Sequence, residues 1–324
     1  MPDPIELLKA MSMAAAVAAA MLGIFGWPRR KEQPTWIDAG WVLGVTAGFI
    51  PGCWAIGIRP HWPPREDLDR LLALVIPAVL AVELVAAFPK VPRWLIWPLR
   101  MVIVAGSTRV LLHGSGYITD LAGPATSEWS SAQTWTILSG VAAIEAAVWV
   151  CLALLARRAP GSSVPLSLAI VIAGSAITVM LSGYSTGGQV GLPLAAALLG
   201  STVAALGSTV AAAVLPRSSP KTAQLGVPIV GLFSLLVIGR FFGQLTTAHA
   251  ILLVLAPLLA WIPELIYPRR LPPWARGLLR LVLVGSLVAA VLVHAQSKFN
   301  HDFQSPSGSG SKEPSLEDYM NFGK

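Results

Sequence analysis

Thr136–Arg158 reads TILSGVAAIEAAVWVCLALLARR. Apart from Glu145, no charged residue interrupts this run until the closing Arg157–Arg158 pair. Wound as a helix, it is apolar or small on every side. Such a helix must be enclosed by protein or by lipid, and about 20 such residues cross a hydrocarbon layer of about 30 Å. The rest of the chain repeats the pattern, with apolar blocks near 5–27, 36–58, 69–88, 95–113, 134–156, 163–182, 191–215, 225–240, 246–267 and 276–296. Short segments rich in Pro, Gly, Ser and Arg join them, as turns between helices do. Of the 324 residues, 55% are hydrophobic and only 12% charged, about half the charged share of a soluble domain. The sequence therefore predicts an all-α, polytopic integral membrane protein. About ten transmembrane helices occupy 1–300, and a flexible polar tail follows at 301–324.

The second block, with Gly44, Gly48, Pro51, Gly52 and Gly57, is the least regular and predicts a kink near Pro51. The first block has the length of a secretory leader, but Asp3 and Glu6 precede it where a leader carries positive charge. A retained first helix is the expectation.

Basic residues set the predicted orientation. The turns after helices one, three, five, seven and nine hold Arg29, Arg30, Lys31, Lys90, Arg93, Arg157, Arg158, Arg217, Lys221, Arg269, Arg270 and Arg276, while 114–133 and 183–190 hold none. Segment 59–70 has Arg59, Arg65 and Arg70, balanced by Glu66, Asp67 and Asp69. This alternation places the chain in a bacterial cytoplasmic membrane with both termini on the non-cytoplasmic side. It also accounts for the net charge of +7 without a nucleic-acid partner. GYSTGGQVG, residues 183–191, reads as an uncharged outer turn.

Two turns resemble each other. Phe88-Pro89-Lys90-Val91-Pro92-Arg93-Trp94 and Tyr267-Pro268-Arg269-Arg270-Leu271-Pro272-Pro273-Trp274 both run aromatic, Pro, basic, gap, Pro, one residue, Trp. Six residues after each Trp stands an arginine, Arg100 or Arg280, and the preceding helices carry Pro77 with Glu83 and Pro257 with Glu264. The offset of about 180 residues contains an even number of helices, so this is a parallel repeat of a helical hairpin. Glu83 lies five residues before Phe88 but Glu264 three before Tyr267, a difference of about 200° around a helix. Equivalent positions for the two carboxylates do not follow from the spacing.

Four membrane-embedded polar residues are candidates. Glu145 is about 18 Å from the Arg157 end, where a carboxylate costs several kcal/mol unless paired, protonated or hydrated. It is the expected coupling or structural carboxylate, with Arg109 of the preceding helix as a partner if that side chain does not snorkel outward. Glu83 and Glu264 sit close enough to the basic turns to reach Lys90, Arg93, Arg269 or Arg270. His113 and His294 fall at similar depth, the arrangement a bis-imidazole haem needs, but nothing else supports a haem and no cofactor is called for. Cys53 and Cys151 have no ligand spacing around them, and no metal motif is present. Gly200-Ser201-Thr202 recurs as Gly207-Ser208-Thr209 and suits close helix packing.

No motif commits the chain to a reaction, so an enzyme is not the reading taken. The expected function is a small-solute or proton-coupled transporter or permease. The alternative is a non-catalytic membrane subunit or scaffold of a larger complex. In either case lipid is the first partner, and Leu316, Tyr319, Met320 and Phe322 in the tail offer a docking segment for a membrane-protein partner.

Overall fold

The computed structural model describes residues 3–26, 35–88, 90–118, 128–159, 161–211, 225–266 and 271–304. Ten helical rods follow one another: α1 Pro4–Gly26, α2 Thr35–Ala55, α3 Asp67–Ala87, α4 Arg93–Leu112, α5 Ser131–Arg158, α6 Ser163–Leu181, α7 Ser185–Ala211, α8 Gly226–Phe241, α9 Thr247–Ile266 and α10 Pro273–Gln304. The described residues contain no strand. All the rods except α2 and α8, eight in number, are long and apolar enough to cross a membrane. The chain is an all-α polytopic membrane protein.

The core is centred on α8. Every residue from Gly226 to Gly239 is buried, because α3, α4, α5, α6, α7 and α9 all pack around it. Being surrounded by protein, α8 needs no polar face and only 16 residues. Beside it, α1, α2 and α7 form a close-packed trio. Ala10, Ala14 and Ala18, one per turn on α1, have no exposure. A Cβ on Gly48 of α2 would stand 2.8 Å from the Ala18 Cβ and 3.1 Å from that of Ala197. One on Gly200 of α7 would strike the Ala15 backbone. In lipid, where apolar burial drives little association, such close backbone contact is what holds helices together. Gly44, Gly48 and Gly52 of the second block are thus a packing face of one helix that runs through Pro51, while Gly57 lies beyond its end. Of the two Gly-Ser-Thr triplets, Ser201 and Thr202 are fully buried, while a Cβ on Gly207 would meet nothing.

The helix ends fall close to the apolar blocks, with two corrections. The uncharged 183–191 segment is not a loop: α7 already begins at Ser185. Gly191 lets α7 press on α6, since a Cβ there would meet Ala176 at 2.7 Å. The reversal itself needs only Ser182–Tyr184. At the other end, α10 continues to Gln304. The tail from Ser305 onward lies outside the described residues.

Two rods are irregular, and each has a proline at the irregularity. In α3, Leu71–Val75 is a π turn just ahead of Pro77. In α9, Ala256–Trp261 is 3₁₀ and contains Pro257. A proline has no N–H and its ring crowds the carbonyl four residues back, and in these two rods the helix widens or tightens to accommodate it.

A polar knot ties the end of α3 remote from Glu83. The Asp69 carboxylate accepts from the backbone N–H groups of His61, Arg65 and Glu66 at 2.9, 3.2 and 3.4 Å. Tyr184 donates to Asp67 at 2.9 Å. Burial, and then the nearby Asp67 charge, push the Tyr184 phenol up, which keeps it a donor.

Candidate functional site

The residue that singles itself out is Glu145. Helix α5 starts from a capping box, Ser130 accepting from the Gln133 N–H at 3.3 Å, and ends on Arg157 and Arg158. With 28 residues it is about 42 Å long, and Glu145 stands at its midpoint. The side chain has no solvent exposure. One carboxyl oxygen, Oε2, lies 3.4 Å from Ser107 Oγ of α4, and the other, Oε1, has no hydrogen-bond partner among the described residues. One turn on along α5, Trp149 is equally buried and its indole N–H is also without a partner. The Ser107 hydroxyl also faces the Val104 carbonyl at 3.1 Å.

Arg109 is placed elsewhere. Its guanidinium carbon sits 6.0 Å from the Trp135 ring centroid, and Trp135 is ten residues, about 15 Å, from Glu145 towards the Ser131 end. The long stem carries the charge outward along the helix. What α4 brings to Glu145 is a serine hydroxyl.

Glu83 and Glu264 are each held by the arginine six residues beyond the loop tryptophan. Arg100 grips Glu83 with two parallel bonds, Nε to Oε1 and NH2 to Oε2, both 2.7 Å. Trp97 and Trp149 flank the guanidinium at 5.2 Å each. The Glu83 side chain also abuts Gly226, the first residue of α8, where a Cβ would strike it; a negative charge is favoured at such a helix start. In the second hairpin, Glu264 accepts from Arg280 NH2 and from Arg276 NH1, the latter at 3.3 and 3.4 Å. Arg100 and Arg280 are thus the partners that the described residues supply; of the loop cations that proximity in sequence suggested, Arg269, Arg270 and the Arg93 side chain lie outside the described residues. The unequal spacing to the aromatic residue does not separate the two carboxylates. The longer second turn restores nearly the same distance across the hairpin, 17 residues from Glu83 to Arg100 and 16 from Glu264 to Arg280, and the arginine stem absorbs the rest.

Sequence reasoning noted Arg100 and Arg280 only as members of a repeat. Their pairing was readable from two facts together: a hairpin places residues at equal depth side by side, and each arm carried one opposite charge. Ser107 and Trp149 left no such signal, since serine and tryptophan are ordinary in membrane helices. His294 packs beside His249, ring centroids 5.1 Å apart. Cys53 and Cys151 are free. Among the described residues no three His, Cys, Asp or Glu side chains gather where they could hold a metal.

Chemically, Glu145 is a buried carboxyl with a serine hydroxyl as its neighbour from α4. Comparison with known proteins finds no family model and no curated protein that matches the chain.

Proposed function

We propose that this protein is a transporter for a small solute, coupled to protons through Glu145 and oriented in a bacterial cytoplasmic membrane with both termini outside. The observation that carries the reading is the isolation of Glu145: midway along α5, without exposure, and with Ser107 as its one hydrogen-bonding side chain among the described residues. The other two embedded glutamates each have an arginine. A carboxylate so placed costs several kcal/mol as an ion, so the bundle favours its neutral form. The hydroxyl geometry supports this. Ser107 has one proton and two oxygens in reach, and the Val104 carbonyl is the nearer at 3.1 Å. With its proton there, the Ser107 oxygen is left to accept from a protonated Glu145. A group that is neutral when enclosed, and that ionises once a pathway wets it, loads and unloads a proton with the conformational cycle. The alternation of basic turns along the chain supports the orientation.

The test is proton movement in proteoliposomes holding a trapped pH-sensitive dye. A panel of amino acids, sugars and organic cations is added outside. The expected result is that at least one solute evokes a proton flux in the wild type, and that Glu145→Gln, which keeps shape and neutrality but holds no exchangeable acid, loses it while remaining folded. Solute-evoked flux that persists in Glu145→Gln, or a wild type that no solute stirs, would falsify the reading.

A further inference from the structure

We propose that the second hairpin, α9–α10, carries a binding site for a phosphate-bearing anion at the membrane interface, a site the first hairpin lacks. The argument does not depend on the transport reading.

The loop tryptophans Trp94 and Trp274 put the two arms in register. Arg100 then matches Arg280, and Ile96 matches Arg276. In the first hairpin one guanidinium meets one carboxylate, and Ile96 is a buried apolar residue at 7% exposure. In the second, two guanidiniums share Glu264. Arg280 also donates through NH1 to Ser163 Oγ at 2.7 Å. Arg280 is 4% exposed and its Nε has no hydrogen-bond partner. A third guanidinium comes from Arg158 at the end of α5, 5.2 Å from the ring of Trp261, which is one turn before Glu264. Two guanidiniums thus share one carboxylate, and a third lies against the ring of a residue one turn from it.

Ser163 opens α6, a 19-residue helix whose N-cap Ser162 makes no side-chain cap bond. The first amides of that helix adjoin the same cluster. Guanidinium forks and helix-start amides both recognise tetrahedral oxyanions. The depth is also right. Glu264 is two residues from the end of α9 and Arg276 three from the start of α10, the level of lipid headgroups. Arg158 is exposed and the Arg276 side chain is 22% exposed, so the cluster is open to an incoming ligand. Basic pockets between helices at this level suit anionic headgroups. A lipid phosphodiester and free inorganic phosphate share the chemistry, and the experiment separates them.

The full chain in neutral detergent is titrated in separate arms with phosphatidylglycerol and with inorganic phosphate, against chloride at equal ionic strength. Binding is read as a rise in the thermal unfolding midpoint. In the wild type at least one arm raises the midpoint. A response to phosphatidylglycerol alone identifies a lipid headgroup site, and a response to inorganic phosphate identifies a free-oxyanion site. Arg276→Ile, which gives the second hairpin the first hairpin's residue, weakens the responding arm about tenfold or more, and Arg276→Lys weakens it less. The proposal is overturned if neither arm moves the wild type, or if Arg276→Ile responds like the wild type. Should Arg276→Ile not fold, Arg276→Lys and Ser163→Ala take its place, and undiminished responses in both overturn the proposal.

Discussion

The two hairpins are built from one pattern, and they differ in how their charge is housed. In α3–α4 the Glu83 and Arg100 side chains are 0% and 3% exposed, and two tryptophans and the start of α8 close over them. In α9–α10 the Glu264 side chain is 11% exposed and answers two arginines. The first is a neutral clasp inside the bundle. The second is a clasp in which two arginines share one carboxylate, set at the rim. Ion pairing in a membrane protein is thus not one kind of interaction. Its energetic weight depends on whether anything other than the partner can solvate the charge when the pair is broken.

That difference predicts unequal consequences. Arg100→Ala leaves the Glu83 carboxylate buried with no partner and should destabilise the fold by about 3–5 kcal/mol. Replacing both residues with methionine should recover most of that loss. Unfolding in detergent measures both, and an Arg100→Ala cost below about 1 kcal/mol would erase the contrast between the hairpins. Glu264→Gln should cost less, about 2–3 kcal/mol, because water or headgroups reach Arg276 when its carboxylate is gone.

A third change probes the clasp from its other side. Gly226→Ala drives a methyl group into the Glu83 side chain, which Arg100 holds by both oxygens and which cannot swing away. The expected cost is about 1–2 kcal/mol. It should shrink in an Arg100→Ala background, where Glu83 is released, so the double mutant should be non-additive. Additive costs would mean that Arg100 is not what pins the carboxylate.

The helices and their ends were legible in the sequence because lipid imposes a simple demand: each backbone amide must be satisfied within its own helix, and the side chains around it must be apolar. The resemblance of the 88–94 and 267–274 turns was legible too. The use each turn makes of its charges was not, because it depends on depth. Lys90 and Arg93 are nearer to Glu83 in sequence, yet Arg100 lies beside it once the hairpin closes. Residues 183–191 failed for a related reason. Glycine is a turn signal in water, but between α6 and α7 it is a packing surface, and only the neighbouring helix reveals which. The isolation of Glu145 was half visible: its depth could be counted along α5, while the choice of Ser107 over Arg109 as its neighbour was set by how α4 turns against α5.

The smallest predicted effect is the sharpest test of the comparison. In neutral detergent without added phospholipid or phosphate, Arg276→Ile should change unfolding free energy by less than about 1 kcal/mol. Arg280 still satisfies Glu264, and isoleucine at this position repeats Ile96 of the first hairpin. The arginine is then an addition to the clasp and not a part of it. A loss as large as that of Glu264→Gln would place Arg276 inside the clasp. The second hairpin would then be a three-membered ion network, in which the added arginine has no role separate from the clasp. A small loss in detergent that grows when phosphatidylglycerol is present would show the opposite: the stabilising role of Arg276 would be exercised only through the anion it holds.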